Sequence, residues 1–213
     1  MADWDADGFQ IADDLVGPVG PVGPEDGELA FLKATHDRLF AEARRRRVTR
    51  ETDDRFRVTL ERIYDPSEEC PALRDTRFFR QGRARAAALL RAEDVQAVLV
   101  LMRKPAGAPS SPLHQHAAVP RPEARALSLW MPLVAAGPDN GGLLVVPGSH
   151  GTLLPHDRFA RLLPPLPAPL PLALGAGQAV FLHERLIHGA SENPTATARA
   201  ALLLYVWVAP RPA

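Results

Sequence analysis

The sequence predicts a mainly-β fold, a jelly roll of two antiparallel sheets with flanking N-terminal α-helices. Helical spacing of apolar residues is confined to residues 1–94 of the 213-residue chain. From residue 95 onward, short apolar runs rich in β-branched residues alternate with turn signals. Helices followed by a series of short strands are typical of a double sheet with helices on one side. We therefore expect one domain over residues 1–213, with a mostly helical part at 1–94 and a jelly-roll core at 95–213.

The N-terminal part predicts two long helices. A short strand-like run, Phe9–Ala12, comes before them. Apolar residues recur at helical spacing within Glu25–Arg46, and His36 lies on the same stripe, so we expect it to pack in the core. The segment Ala72–Arg91 is rich in Ala, Leu and Arg and indicates the second helix.

The core part predicts a series of short strands. The β-branched run Val95–Met102 is typical of a buried strand. Pro132 within the next run favours an edge position or a bulge, because proline cannot donate to a ladder. Pro138–Gly142 indicates a tight turn between two apolar runs. The remaining expected strands are Ala126–Val134, Leu143–Val146, Gln178–Leu182 and Arg199–Val208.

Charge and composition exclude several classes of protein. The chain has 25 basic and 25 acidic residues, so no bulk charge favours nucleic acid or a membrane surface. No apolar window is long enough to cross a bilayer, and the acidic start is unlike a signal peptide. One cysteine, Cys70, cannot form an internal disulfide. We expect a cytoplasmic protein without a nucleic-acid or membrane partner.

Three histidines carry the strongest chemical signal in the sequence. His114 and His116 are two positions apart, so on an extended segment their imidazoles face one side while Gln115 points elsewhere. His188 would complete the set if its segment reaches the same point. Three neutral imidazoles suit iron, zinc, copper or nickel and leave coordination positions open for chemistry. The pair alone does not decide, because histidines on a strand often have ordinary polar partners.

Four segments in order resemble a known family, the phytanoyl-CoA dioxygenase-like branch of the iron(II)/2-oxoglutarate oxygenases. The resemblance runs from Asp7–Phe9 to the C-terminus and is dense only after Val95. Each segment alone is weak evidence, but four in the same order are specific. The segments are Lys104-Pro105 with Pro112–Gln115, Trp130 with Asp139–His150, Gly177–Phe181 with His188-Gly189, and Arg199, eleven residues beyond His188.

The resemblance implies a double-stranded β-helix, the cupin-like form of the jelly roll, that binds Fe(II) through His114, His116 and His188. It implies 2-oxoglutarate and O2 as co-substrates, with Arg199 binding the far carboxylate as a bidentate, permanently charged partner. Trp130 and Gln115 would lie beside the co-substrate; a core aromatic and a side chain supporting the backbone are the alternatives. The implied reaction releases succinate and CO2 and oxidises, by hydroxylation or a related step, a small organic substrate.

The main departure from the family pattern is at position 116, where His116 replaces an aspartate and makes the ligand set neutral. Three outcomes stay open: a 2-oxoglutarate oxygenase with three histidine ligands, a cupin-like three-histidine metalloenzyme acting without 2-oxoglutarate, or a catalytically retired binding protein on the same fold. The cupin alternative would use Glu123, but the spacing is longer than in that motif and Arg199 would have no role.

Substrate choice in this family is set by variable loops, and three segments are the candidates here. They are Gly17–Gly27, Ala106–Pro112 and Leu162–Pro171. The N-terminal region is short for the family. We therefore expect a reduced lid, or one supplied by a second subunit of a homodimer.

Overall fold

Two antiparallel β-sheets form the centre of the fold, and they confirm the predicted mainly-β jelly roll. The structure is a computed structural model that describes residues 2–16, 27–42, 48–116, 125–156, 162–163, 165 and 168–208. Within these residues, no helix has the length and apolar character needed to span a bilayer. The helices are α1 (Trp4–Asp7), α2 (Glu28–Ala41) and α3 (Arg77–Leu89), with 3-10 turns at 66–68, 71–75 and 149–151.

The described residues form eleven strands, which divide between a seven-stranded and a four-stranded sheet. The larger sheet has the order β1-β9-β6-β11-β4-β3-β2, and the smaller has the order β5-β10-β7-β8. The strands are β1 (Phe9–Ala12), β2 (Thr49–Thr52), β3 (Val58–Tyr64), β4 (Gln96–Lys104), β5 (Ser111–His114), β6 (Ala126–Pro132), β7 (Leu143–Val145), β8 (Leu170–Pro171), β9 (Ala179–His183), β10 (His188–Ala190) and β11 (Arg199–Trp207).

The larger sheet is covered on both faces, so its central strand β11 is apolar along most of its length. Leu202 and Leu204 lie on the face that packs against α2 and α3. Ala201 and Leu203 alternate with them and face the smaller sheet. Gly82 of α3 lies directly against the sheet, since an added Cβ would be 2.5 Å from the side chain of Leu129. The helices thus support the sheet from outside, and the space between the two sheets is left for a site.

Two details of the larger sheet differ from the sequence prediction. β2 and β3 extend it beyond β4, with β2 outermost, although they come from the part of the chain that was expected to be mostly helical. β6 is a central strand between β9 and β11, so the edge position inferred from Pro132 is wrong. Pro132 is the last residue of β6, where a missing donor interrupts the ladder only at its end, and its carbonyl accepts from the Gly177 amide at 2.9 Å.

A half-buried histidine at the end of β9, His183, makes the stability of the fold depend on pH. The backbone N–H of Arg185 donates to Nδ1 of His183 at 3.1 Å, an arrangement that requires the neutral ring. Burial, with the nearby charges of His150 and Arg185, lowers the pKa of His183 from 6.5 to about 4. The unfolded chain therefore takes up a proton before the folded protein does. The contribution to stability is complete above pH 6.5 and is lost as the pH falls to about 4.

We therefore expect the free energy of unfolding to fall as the pH drops through this window, by less than the roughly 1.4 kcal/mol per pH unit of a fully buried group, because solvent screens the half-buried His183. Urea unfolding followed by circular dichroism at several pH values measures it. His183→Asn keeps an acceptor in place of Nδ1 but cannot titrate, so its stability should fall less steeply. If the free energy of unfolding fell equally steeply with pH in both proteins, His183 would not be the group responsible.

Candidate active site

The three predicted histidines meet between the two sheets at one end of the smaller sheet. His114 ends β5 and His188 begins β10, and the two are directly paired across the ladder. His116 follows β5 by two residues, so its imidazole returns to the same side. One ligand nitrogen from each of the three lies within 4.8 Å of the others. Their ring centroids are 4.4 to 5.2 Å apart.

Outer hydrogen bonds orient these rings for metal binding. Nδ1 of His114 donates to the Pro112 carbonyl at 3.0 Å, and Nδ1 of His188 donates to the Leu186 carbonyl at 2.8 Å. A carbonyl can only accept, so the proton is on Nδ1 and the lone pair of Nε2 is free. Nδ1 of His116 lies 3.2 Å from the hydroxyl oxygen of Ser128. Such partners hold the tautomer and ring orientation that metal-binding histidines need.

The cluster is neutral and ready to bind a metal at physiological pH. Burial lowers the pKa of His114, His116 and His188, that of His188 to about 3, and the nearness of the other rings adds to the effect for His116 and His188. Metal ions bind the unprotonated ring, so a metal does not have to displace protons here near pH 7. Among the described residues, the cluster includes no carboxylate.

Arg199, the first residue of β11, is a buried cation with an unused donor. It is 2% exposed, and its Nε donates to the Gly141 carbonyl at 3.0 Å. Its guanidinium carbon lies 5.0 Å from the centroid of the Trp130 ring. Within the described part of the chain, Nη1 of Arg199 and the indole Nε1 of Trp130 are buried without a hydrogen-bond partner. Native proteins rarely leave such donors unpaired, so the pair indicates a site for an acceptor ligand.

A second buried cation lies next to Arg199. Lys104 pairs with it directly across β4 and β11 and has no exposed surface. Its Nζ donates to the carbonyls of Pro109 and Thr59 at 2.7 and 3.3 Å, which are neutral partners. Burial, followed by the charge of Arg199, lowers the pKa of Lys104 to about 8. Two adjacent buried cations create a positive potential that favours an anion.

The turn predicted at Pro138–Gly142 positions Arg199. The Asn140 side chain accepts from the Gly137 amide at 2.7 Å and donates to the Ala135 carbonyl at 2.8 Å. Gly141 adopts a left-handed φ of 81°, and an added Cβ would lie 2.3 Å from the Lys104 side chain. Glycine is therefore required where the backbone brings its carbonyl to Arg199.

The histidine cluster and Arg199 line the same inner cavity, of about 50 Å³. Trp130, Ser128 and Ser111 line it too. A larger outer cleft of about 850 Å³ lies next to it. The two volumes share the lining residues Glu51, Arg62, His114, His116 and Leu203. A metal held by the histidines would thus lie between an anion pocket and a cleft wide enough for an organic molecule.

Gln115 is turned away from this cavity. Its side chain is fully buried, its Nε2 donates to the carbonyls of Thr152 and Arg185, and its Oε1 accepts from the Leu154 amide at 2.9 Å. With the amide group committed to three backbone partners, the geometry favours support of the backbone over contact with a co-substrate. The bonds fasten two loops behind the histidines.

Some predicted residues lie outside the described part of the chain, and others were not foreseen. Glu123 of the cupin alternative lies outside it, as do residues 17–26 and part of Leu162–Pro171 among the loops expected to select substrate. The outer partner Ser128 and the cation Lys104 were not identified as site residues. Ser128 had no sequence signal, whereas Lys104 stood in a segment that carried the resemblance.

Comparisons with known proteins agree with this geometry. The family model described as Phytanoyl-CoA dioxygenase (PhyH) matches residues 26–201. The mouse protein "Phytanoyl-CoA dioxygenase, peroxisomal" is 33% identical over 106 residues, which span 43% of this chain and 31% of that protein. The chain therefore aligns with about a third of that relative.

Two solved structures share the fold. EvdO2 from Micromonospora carbonacea var. aurantiaca, in complex with 2-oxoglutarate, has a TM-score of 0.79 at 26% identity, with 99% of this chain and 90% of that chain covered. The epimerase SnoN, in complex with Fe3+, alpha ketoglutarate and nogalamycin RO, has a TM-score of 0.70 at 21% identity, with 95% and 80% covered.

Proposed function

Because the chain belongs to the phytanoyl-CoA dioxygenase (PhyH) family, we propose that it is a non-haem Fe(II)/2-oxoglutarate-dependent dioxygenase that oxidises a small organic substrate, by hydroxylation or a related step. The observation that carries the proposal is that three converging histidines and a buried arginine with an unpaired donor line one cavity. The 2-oxoglutarate complex of EvdO2 supports it from a similar chain.

The residues present fit the groups that this chemistry needs. His114, His116 and His188 would hold Fe(II), His114 and His188 through their free Nε2 atoms, and imidazole suits iron. Arg199 would hold the far carboxylate of 2-oxoglutarate with its unpaired Nη1, and the indole N–H of Trp130 would donate beside it. When bound, iron, 2-oxoglutarate and O2 supply an oxidant, and the co-substrate leaves as succinate and CO2.

The chain's own contribution is to orient and to exclude water. The outer hydrogen bonds hold His114 and His188 as Nε2 ligands, so little reorganisation is needed on binding. The buried guanidinium of Arg199 is fixed by the Gly141 carbonyl before any ligand arrives. Its attraction for a carboxylate is stronger in this dry site than it would be at a surface.

An anaerobic titration tests the proposal. The Fe(II)-loaded protein is titrated with 2-oxoglutarate while the visible iron-to-ligand charge-transfer band is recorded, with iron-free protein as the control. We expect a band that saturates at one co-substrate per chain. Iron bound with no band would exclude the 2-oxoglutarate mechanism and favour a three-histidine metalloenzyme that acts without it.

The histidine at position 116 leads to a separate prediction. His116→Asp should keep stoichiometric iron and the charge-transfer band, because an anionic carboxylate stabilises a divalent cation better than a neutral ring does. His116→Ala should bind iron at least about tenfold more weakly, since even an outer partner of a ligand contributes that much. Metal titration followed by elemental analysis separates the two variants. Full iron affinity in His116→Ala would show that His116 is not a ligand.

We propose a small molecule as the partner of this site. The homodimer and the cytoplasmic location expected from the sequence stay predictions. Sedimentation velocity of the purified protein tests the homodimer.

A further inference from the structure

The outer cleft of about 850 Å³ points to a class of substrate, an inference that rests on the proposed function. Its floor is the inner face of the larger sheet beyond His116. Residues of β3, β4 and β11 contribute, among them Tyr64, Val98 and Tyr205. Its other described wall is the β2–β3 hairpin, which brings Glu51, the turn residues and Arg62.

One side of the cleft offers aromatic and apolar surface. Tyr205 stacks on Trp207 with ring centroids 5.7 Å apart, and Tyr64 is 53% exposed. Phe56, in the hairpin turn, is 87% exposed and has a left-handed φ of 59°. A bulky residue in that conformation is strained, and an exposed phenyl ring gains little from folding. Both costs are understandable if the ring contacts a ligand in the cleft.

The charged groups of the described lining are mostly carboxylates. They are Glu51, Asp53 and Asp54, against the single cation Arg62. Nη2 of Arg62 already donates to Oε2 of Glu51 at 2.6 Å. Asp53 accepts from Arg57 at 2.8 Å. Ionised carboxylates only accept hydrogen bonds, so the polar lining favours ligands that donate and repels ligands with several negative charges.

We propose that the substrate of this cleft is a ring compound whose polar groups are hydrogen-bond donors, either hydroxyl or ammonium, and not an anion. The ring would lie against Phe56, Tyr64 and Tyr205. Its donors would meet Glu51, which lines both the outer cleft and the inner cavity beside His114. Glu51 thereby directs the part of the ring that carries the donor toward the metal centre.

The proposal is tested by measuring the binding of four probes to the full chain by ligand-observed NMR. They are phenyl β-D-glucopyranoside for hydroxyl donors, phenethylamine for ammonium, phenylacetate for a single anion and coenzyme A for a polyanion. Binding is measured on iron-free protein and on anaerobic protein with Fe(II) and 2-oxoglutarate. Because 2-oxoglutarate fills the inner anion pocket of the loaded protein, we expect at least one donor probe to bind that form about tenfold or more tightly than either anion does. The better of the two donors tells hydroxyl from ammonium.

Two variants locate the binding. Glu51→Gln removes the charge and should weaken the better donor probe about tenfold. Phe56→Asn removes the ring while keeping a residue that tolerates left-handed backbone, and should weaken that probe about threefold to tenfold. Asp94→Asn is the matched control, because Asp94 is an exposed, ion-paired carboxylate bonded to Arg83 and does not line the cleft. It should change nothing.

Equal or tighter binding of the anions that Glu51→Gln or Phe56→Asn alters, and that therefore occurs in the outer cleft, would overturn the proposal, and so would donor binding that both cleft variants leave unchanged. The outcome is separable from that of the proposed function. Donor probes that bind in the cleft of a protein without a charge-transfer band would support the inference and overturn the 2-oxoglutarate mechanism. A normal charge-transfer band together with a preference of the cleft for anions would support the 2-oxoglutarate mechanism and overturn the substrate inference.

Discussion

Replacing Arg199 with methionine is expected to abolish 2-oxoglutarate binding while stabilising the ligand-free protein. Truncating one partner of a buried charge pair costs about 2–5 kcal/mol, so affinity should fall by about 30-fold or more. Without the ligand, however, Arg199 is a buried cation whose Nη1 has no hydrogen-bond partner among the described residues, while its Nε donates to the Gly141 carbonyl and its guanidinium lies over the Trp130 ring. Replacing even a paired set of buried charges by apolar side chains of similar volume is often neutral or stabilising, by roughly 1–4 kcal/mol, and Arg199 has no anionic partner to lose when the ligand is absent.

The two effects have one readout, the melting temperature with and without 2-oxoglutarate in the presence of Fe(II). The natural protein should melt at higher temperature as the co-substrate is added, because a ligand that binds only the folded state stabilises it. Arg199→Met should start higher and show no such rise. The stability difference should appear as about 2–4 °C for each kcal/mol in a chain of this size.

Arg103→Met is the matched control for that experiment. Arg103 is the neighbour of Lys104 on β4 and donates to Glu61, which is itself only 7% exposed. Removing Arg103 leaves Glu61 with fewer partners, so this variant should melt lower yet keep the full response to 2-oxoglutarate. The role assigned to Arg199 would be contradicted if the melting temperature of Arg199→Met rose with 2-oxoglutarate as much as that of the natural protein. It would also be contradicted if both variants lost this rise equally.

The histidine cluster shows how far local sequence logic reaches. The alternation of an extended segment correctly turned His114 and His116 to one side and Gln115 to the other. It could not bring in His188, because that contact depends on the pairing of β5 with β10, strands separated by more than seventy residues. A resemblance supplied this third member, since the order of family segments carries long-range information that periodicity does not.

Arg199 was accessible to physical reasoning before the structure was available. An arginine that opens an apolar strand is expected to be buried, and burying a cation is costly unless it is paired, which favours an anionic ligand. The role of its neighbour Lys104, which depends on burial beside Arg199, could not be inferred from the sequence pattern. It was named only as part of a segment that carries the resemblance, and the fold encloses it with the backbone carbonyls of Thr59 and Pro109.

The missed strand β3 shows why alternation can fail. Glu61 and Arg62 interrupt the apolar pattern of Val58–Tyr64, which makes the segment resemble a charged loop. In the structure, Glu61 is buried between Arg50 and Arg103, and Arg62 pairs with Glu51 across the hairpin. Compensation by partners on neighbouring strands is invisible to a pattern that treats every charge as exposed.

Removing His188 is expected to have the largest effect on iron. His188→Ala takes away the ligand that is paired directly with His114 in the ladder, and two histidines cannot complete a facial set of three. Iron affinity should fall at least about 100-fold, since loss of an outer partner alone costs up to that much. Equilibrium titration with Fe(II) under anaerobic conditions, followed by elemental analysis after gel filtration, measures the loss.

The matched control is His183→Asn, which changes a half-buried histidine on the preceding strand, β9. His183 faces Trp4 and His150 instead of the cluster, so this variant should bind one iron with natural affinity. His188→Ala should meanwhile fold normally. Burial lowers the pKa of His188, so its ring is neutral, and removing it breaks no ion pair. Circular dichroism checks the fold. A folded His188→Ala that still binds one iron tightly would place the metal elsewhere, and the arrangement of Arg199 beside this cavity would then need another explanation.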